Sequence, residues 1–154
     1  MKKIFALLLA LSLICCLFAG CAPASGGGAS GDVIKIGVYE PQSGDNGAGG
    51  KQEILGMQYA NYMTPTVEIG GKTYNVELVI ADNESSNDKA VSAATKLISA
   101  GCSVVLGSYG SGVSIAASDT FAEAGLAAIG VTCTNPQVTQ GTRRTCAGTQ
   151  TVIE

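Results

Sequence analysis

The sequence contains no histidine and no tryptophan. Without histidine, the commonest general base and the commonest metal ligand are both missing. That argues against hydrolytic chemistry and against zinc sites. Charge is sparse as well: charged residues make up 14% of the chain and the formal net charge is -3. No basic footprint points to nucleic acid, and no acidic run suits a cationic partner. The hydrophobic content of 46% in 154 residues is enough for one modest core.

No apolar run is long enough to span a bilayer, which takes about 20 residues. The stretch from Ile4 to Phe18 is shorter, follows Lys2 and Lys3, and gives way to Ala19, Gly20 and Cys21. A basic start, a short apolar run and small residues before a break describe a secretory signal, expected over residues 1–20. Its end, L-F-A-G-C from Leu17 to Cys21, resembles a bacterial lipobox. That resemblance implies lipidation of Cys21 and attachment to the membrane through two or more acyl chains. Residues 21–31, rich in Gly and Ser, read as a flexible tether. The folded part is expected over residues 32–141.

Cysteine usage fits this organisation. Cys15 and Cys16 fall in the signal and Cys21 at its end, which leaves Cys102, Cys133 and Cys146. Three spread cysteines form neither a disulfide framework nor a zinc pattern. Cys102 reads as a small buried hydrophobe, and a Cys102–Cys133 bridge is a question of geometry.

Beyond the tether, strands and helices alternate. Val33–Tyr39 is short and β-branched, hence a strand. A Gly-rich loop, Glu40–Gly50, precedes a helix expected over Lys51–Met63, with Ile54, Leu55, Tyr59 and Tyr62 near helical spacing. Val67–Ile80 reads as a hairpin around Gly70 and Gly71. Ser85, Ser86, Asn87 and Asp88 supply caps and early negative charge for a helix with Ala90, Val91, Ala94, Leu97 and Ile98 on one face. Gly101 closes it. Ser103–Gly107 and Leu126–Val131 are compact apolar strands flanking a helix over Ser111–Ala124. This alternation predicts an α/β fold, a parallel sheet with helices on both faces. Ligands in such sheets bind beyond the carboxyl ends of the strands.

Two strand-end loops carry the chemistry. In G-S-Y-G-S-G, Gly107 to Gly112, a strand runs into a helix start. Free amides and the helix dipole there attract an anion such as a carboxylate. Ser111 adds a hydroxyl, and Gly110 and Gly112 permit close approach. In the neighbouring loop, Thr132, Cys133 and Thr134 offer hydroxyls and carbonyls that accept from an ammonium group. Donors beside acceptors suit a small zwitterion such as an amino acid. Competing motifs fail: the first loop lacks G-x-G-x-x-G spacing, Gly50-Lys51 is followed by Gln52 rather than Ser or Thr, and no G-x-S-x-G occurs. No cofactor or metal is implied.

At this point the sequence resembles the type I periplasmic solute-binding proteins of the branched-chain amino-acid branch. The likeness covers about Val33 to Gln140. It runs through I-K-I-G-V, Ser43-Gly44, the Asp82 turn, D-K-A-V, K-L-I, V-V-L-G-S-Y-G-S, and I-G-V-T-C-T-N-P-Q-V-T-Q from Ile129 to Gln140. It implies one lobe of a two-lobed receptor that closes on its ligand about a hinge and is recognised by ABC permease subunits, without chemistry on the ligand. The resemblance assigns Ser111 to the ligand α-carboxylate, and Thr132, Cys133 and Thr134 to the α-carboxylate and α-ammonium. It places Gly49 where some relatives carry an aromatic on the ligand, so that contact is expected to be missing. Family members are more than twice as long. After Gln140 the sequence leaves the family pattern, and residues 142–154 show neither strand alternation nor a helix, which suggests a frameshift near Gly141. A single lobe is then expected to bind its ligand weakly. The other reading is a single-lobe sensory or interaction lipoprotein.

Overall fold

A computed structural model describes residues 32–139 and the backbone of 146–148. The signal, the tether, Cys21 and the rest of the tail lie outside the described residues. The strands are β1 (Val33–Glu40), β2 (Thr66–Ile69), β3 (Lys72–Asp82), β4 (Val104–Leu106), β5 (Ala128–Gly130) and β6 (Cys146–Gly148). The helices are α1 (Gly47–Met63), α2 (Asn87–Ser99) and α3 (Ser111–Glu123), with a 3-10 turn at Pro136–Thr139.

The strands form one sheet in the order β2-β3-β1-β4-β5-β6. Only β2, the hairpin partner of β3 across Gly70–Gly71, runs antiparallel. From β1 the chain crosses to β3 on one side, then returns over β1 to β4 and β5 on the other. With right-handed crossovers, that reversal puts α1 on one face of the sheet and α2 and α3 on the opposite one. The burial pattern agrees. Tyr39 and Ala81 join α2 and α3 in the main cluster, whereas the next buried β1 residue, Val38, lies outside it, as strand alternation demands.

The core of that face is Leu97, Val105, Val113, Phe121, Leu126 and small alanines. Tyr39 and Phe121 meet edge to face, with ring centroids 5.5 Å apart. α2 ends as expected at Gly101, with φ +75°, and α3 ends in the same way at Gly125, with φ +66°. The amides of Gly101 and Cys102 return to Ile98 and Leu97, and those of Gly125 and Leu126 to Ala122 and Phe121, a paired closure of the last turn.

Three expectations need correction. α1 begins at Gly47, a turn before Lys51, because tight packing overrides poor propensity: a Cβ on Gly50 would strike the Pro41 carbonyl. Of its anticipated apolar face only Ile54 is buried; Leu55, Tyr59 and Tyr62 are 66%, 64% and 79% exposed. The tail does contribute a strand. β6 pairs in parallel with β5 in the register Ala128↔Cys146 and Gly130↔Gly148. Three small or slender residues offer no alternation to read, and the open edge of β5 supplies their backbone partners.

Candidate functional site

The reversal of strand order leaves a crevice between the ends of β1 and β4, where parallel sheets place ligands. The loop after β4, residues 107–110, enters this crevice, and α3 starts from it. An open cleft of about 280 Å³ lies above, lined by Tyr109, Gly110, Ser111, Thr132 and Thr134. Four of these are residues expected from the sequence. None carries a charge, so the cleft offers hydroxyls, amides and a helix start alone.

Ser111 is the first residue of α3 and Gly110 its cap. The Ser111 hydroxyl oxygen accepts the Asn135 amide at 3.1 Å. This ties the two loops together and leaves the hydroxyl proton free to donate. Thr132 and Thr134 are exposed at the end of β5. Gly112 is exposed and faces Asn87 rather than lining the cleft. The Cys133 side chain turns inward: it is buried, donates to the Ser108 carbonyl at 3.3 Å and lies 3.1 Å from the Ser114 hydroxyl. Only its backbone can therefore face a ligand. Cys102 and Cys133 are both free thiols, so no bridge joins them. Burial pushes the Cys102 thiol above its usual range.

Apart from Tyr109 the loop has little side-chain bulk of its own, and it is held from beneath. Asn83, buried at the end of β3, donates to the Ser108 hydroxyl at 2.9 Å. The Ser108 amide donates to Ser114 on α3 at 3.2 Å. The Tyr109 amide donates to the Glu40 carboxyl at 2.6 Å. Gly107, with φ +122°, passes directly over β1, and a Cβ there would strike the Tyr39 carbonyl. The loop after β1 is fixed similarly. Asp82 accepts the amides of Gln42 and Glu84 and the Ser43 hydroxyl, each at 2.8 Å. Burial alone would raise the Asp82 pKa; these donors outweigh it and hold the carboxyl below its usual range.

Sequence reasoning missed two residues. One is Tyr109, whose ring covers Gly49 so closely that a Cβ on Gly49 would lie 2.8 Å from it. An aromatic ring thus lies over Gly49, contributed by the β4 loop. The available signal was an aromatic in a strand-end loop otherwise made of Gly and Ser. The other is Glu40, read as a loop residue, which ends β1 fully buried. Burial first, and then the neighbouring Glu53 carboxyl, push its pKa up to about 9 against the opposing pull of the Tyr109 amide.

Comparison with known proteins agrees with this architecture. A family model described as periplasmic binding protein matches residues 33–151, continuing past Gly141 into the tail. Leu/Ile/Val-binding protein homolog 2 of Brucella abortus is 35% identical over 141 residues, covering 88% of this chain and 37% of the relative. Homolog 1 of the same organism is 34% identical, over 84% and 37%. Among solved structures, the leucine binding protein LivK of Thermotoga maritima superposes with a TM-score of 0.67 at 32% identity, over 75% of this chain and 32% of that one. The branched-chain amino acid transporter substrate binding protein LivJ of Streptococcus pneumoniae, solved with isoleucine, gives 0.64 at 30% identity, over 74% and 32%. The chain thus spans about a third of the length of the relatives it matches, and over that span it belongs to the periplasmic binding protein family.

Proposed function

We propose that this chain supplies the first ligand-binding lobe of an extracytoplasmic receptor that delivers a branched-chain amino acid to the permease subunits of an ABC importer, performing no chemistry on it. The observation that carries this reading is the uncharged cleft at the start of α3, lined by Ser111, Thr132 and Thr134. In the proposed pose the ligand α-carboxylate lies against the Ser111 hydroxyl and the first amides of α3. Those amides have no carbonyl partner within the helix and carry the positive end of its dipole. The α-ammonium faces the Thr132 and Thr134 hydroxyls and the carbonyls of residues 132–134. Tyr109 packs on the side chain. A cleft without fixed charge suits a ligand whose own charges cancel. The Brucella relatives named for Leu, Ile and Val and the LivJ structure solved with isoleucine support the ligand class. The proposed location is outside the cytoplasmic membrane, held there by lipid on Cys21.

The test is an NMR titration of the isotope-labelled chain with leucine at millimolar concentration, beside leucine methyl ester. We expect leucine to move the amide signals of Ser111, Gly112, Thr132 and Thr134, and the ester, which lacks the carboxylate, to leave Ser111 and Gly112 still. Equal shifts with both compounds, or shifts elsewhere only, would remove the proposed pose.

A further inference from the structure

Two carboxyl groups lie beneath the cleft, and none of the proposed ligand contacts uses them. Glu40 ends β1 with 0% of its surface exposed. One carboxyl oxygen takes the Tyr109 amide at 2.6 Å. Glu53, in the second turn of α1, sets its carboxyl beside that of Glu40. Oε1 of Glu40 and Oε2 of Glu53 are both buried and neither receives a donor. An ionised carboxylate only accepts. Two of them in buried contact repel, so the arrangement requires a proton between them.

We propose that Glu40 and Glu53 share one proton and that the protonated pair is a latch positioning the Gly107–Gly112 loop, so that loss of the proton loosens the loop and weakens ligand binding at alkaline pH. The geometry favours a latch over a passive core contact. The pair bridges α1 and β1, and its remaining hydrogen bond goes to the amide two residues before Ser111. Gly107 presses on the same carboxyl: a Cβ there would lie 2.6 Å from Oε1 of Glu40. The groups acting on Glu40 are Glu53 from α1 and the Tyr109 amide from the β4 loop, and Glu40 in turn acts on the neighbouring Tyr39 phenol of β1. None is a cation. A second negative charge would therefore meet no compensation, and the pair would separate or draw in water. Either response moves the Tyr109 amide. The link to ligand binding rests on the cleft being the ligand site; the shared proton does not.

The experiment is a pH titration of the labelled chain, following the glutamate side-chain carboxyl carbons and the Tyr109 amide. One carboxyl of the pair should stay protonated through neutral pH, and the Tyr109 amide should move with its alkaline step. In Glu53→Gln the Gln amide donates to the Glu40 carboxylate in place of the proton. The alkaline step at Tyr109 should disappear while the loop signals hold their positions. Both carboxyls titrating in the ordinary acidic range, or a step that persists in Glu53→Gln, would overturn the proposal. Should that variant not fold, Glu40→Gln reads the same outcome, since its oxygen accepts from Tyr109 and its amide donates to Glu53. Leucine-induced shifts at Ser111 should fade across the step in the wild-type chain and persist in Glu53→Gln. If leucine moves nothing at any pH, the cleft is not the ligand site, while the Tyr109 titration still decides whether the proton is shared.

Discussion

Raising the pH through neutrality should destabilise this fold, contrary to the usual behaviour of a carboxylate. Unfolded, Glu40 titrates near 4.5; folded, it holds its proton up to about 9. Between those values the folded chain carries a proton that the unfolded chain has released. Stability therefore falls as pH rises, by about 1.4 kcal/mol per pH unit for a full proton. The contribution is whole below the unfolded value and gone above the folded one. From about pH 6 to about pH 8 the loss amounts to about 3 kcal/mol, a large part of the about 5–15 kcal/mol that a domain commands. Asp82 has the opposite sign, since its folded pKa is depressed. Its effect is complete well below pH 6, so the two do not overlap. Urea unfolding followed by circular dichroism at constant ionic strength measures the slope directly. The wild-type midpoint should drop steadily across this window, and Glu40→Gln, which carries no proton to lose, should be flat. A wild-type midpoint that holds or rises, or a Glu40→Gln slope equal to it, would refute the reasoning.

The contrast between two glycines tests the close packing around the loop. Gly107→Ala drives a Cβ into the Tyr39 backbone at φ +122° and should lower stability by about 3 kcal/mol or more by thermal melting. Gly49→Ala meets only the Tyr109 ring, itself 39% exposed, so the ring should swing outward for less than about 1 kcal/mol while its NMR contacts to residue 49 vanish. Phe121→Ala empties a site only 2% exposed beneath Tyr39 and should cost about 3–5 kcal/mol in chemical unfolding. Tyr39→Phe removes one buried hydrogen bond, to the Val113 carbonyl at 3.1 Å, for about 1 kcal/mol. In a bacterial host, Cys21→Ser should abolish incorporation of labelled palmitate and shift the chain out of the membrane fraction; unchanged labelling would exclude lipidation at that residue.

Much of the fold was legible in the sequence because local signals and global packing agreed. β1, α2 and α3 follow from β-branched runs, a helical stripe of alanines and leucine, and glycines at the C′ positions. Disagreement arose where tertiary contact overrode local preference. The Gly47–Gly50 segment reads as loop by propensity, yet it is helical because larger residues would collide with Pro41 and Tyr109. Leu55, Tyr59 and Tyr62 have helical spacing, but that spacing does not identify which face meets the sheet. At the candidate site, Gly110, Ser111, Thr132 and Thr134 were singled out from their loops, and the fold brings them to one cleft. The inward turn of Cys133 was not, since its partners Ser108 and Ser114 come from other elements. Glu40 was hidden for the same reason: a carboxylate just before Pro41 and a glycine-rich loop reads as solvated, and only the placement of α1 buries it beside Glu53.

The division of labour at the cleft follows from the composition of its loop. Gly-Ser-Tyr-Gly-Ser-Gly can bring amides close to a ligand, but such a segment is floppy, and fixing a backbone residue costs about 1–2 kcal/mol. If that ordering were left to the moment of binding, it would be subtracted from affinity. The fold settles it beforehand through anchors from four directions: Glu40 from β1, Asn83 from the end of β3, Ser114 from α3 and Cys133 from the end of β5. Asn83 and Ser114 are neutral at every accessible pH, and the Cys133 thiol sits in a weaker, sulfur-mediated contact. Glu40 makes the shortest of the four bonds and can change charge. Perturbing Asn83 or Ser114 should therefore shift affinity by a constant factor, whereas Glu40 alone should make that factor depend on pH.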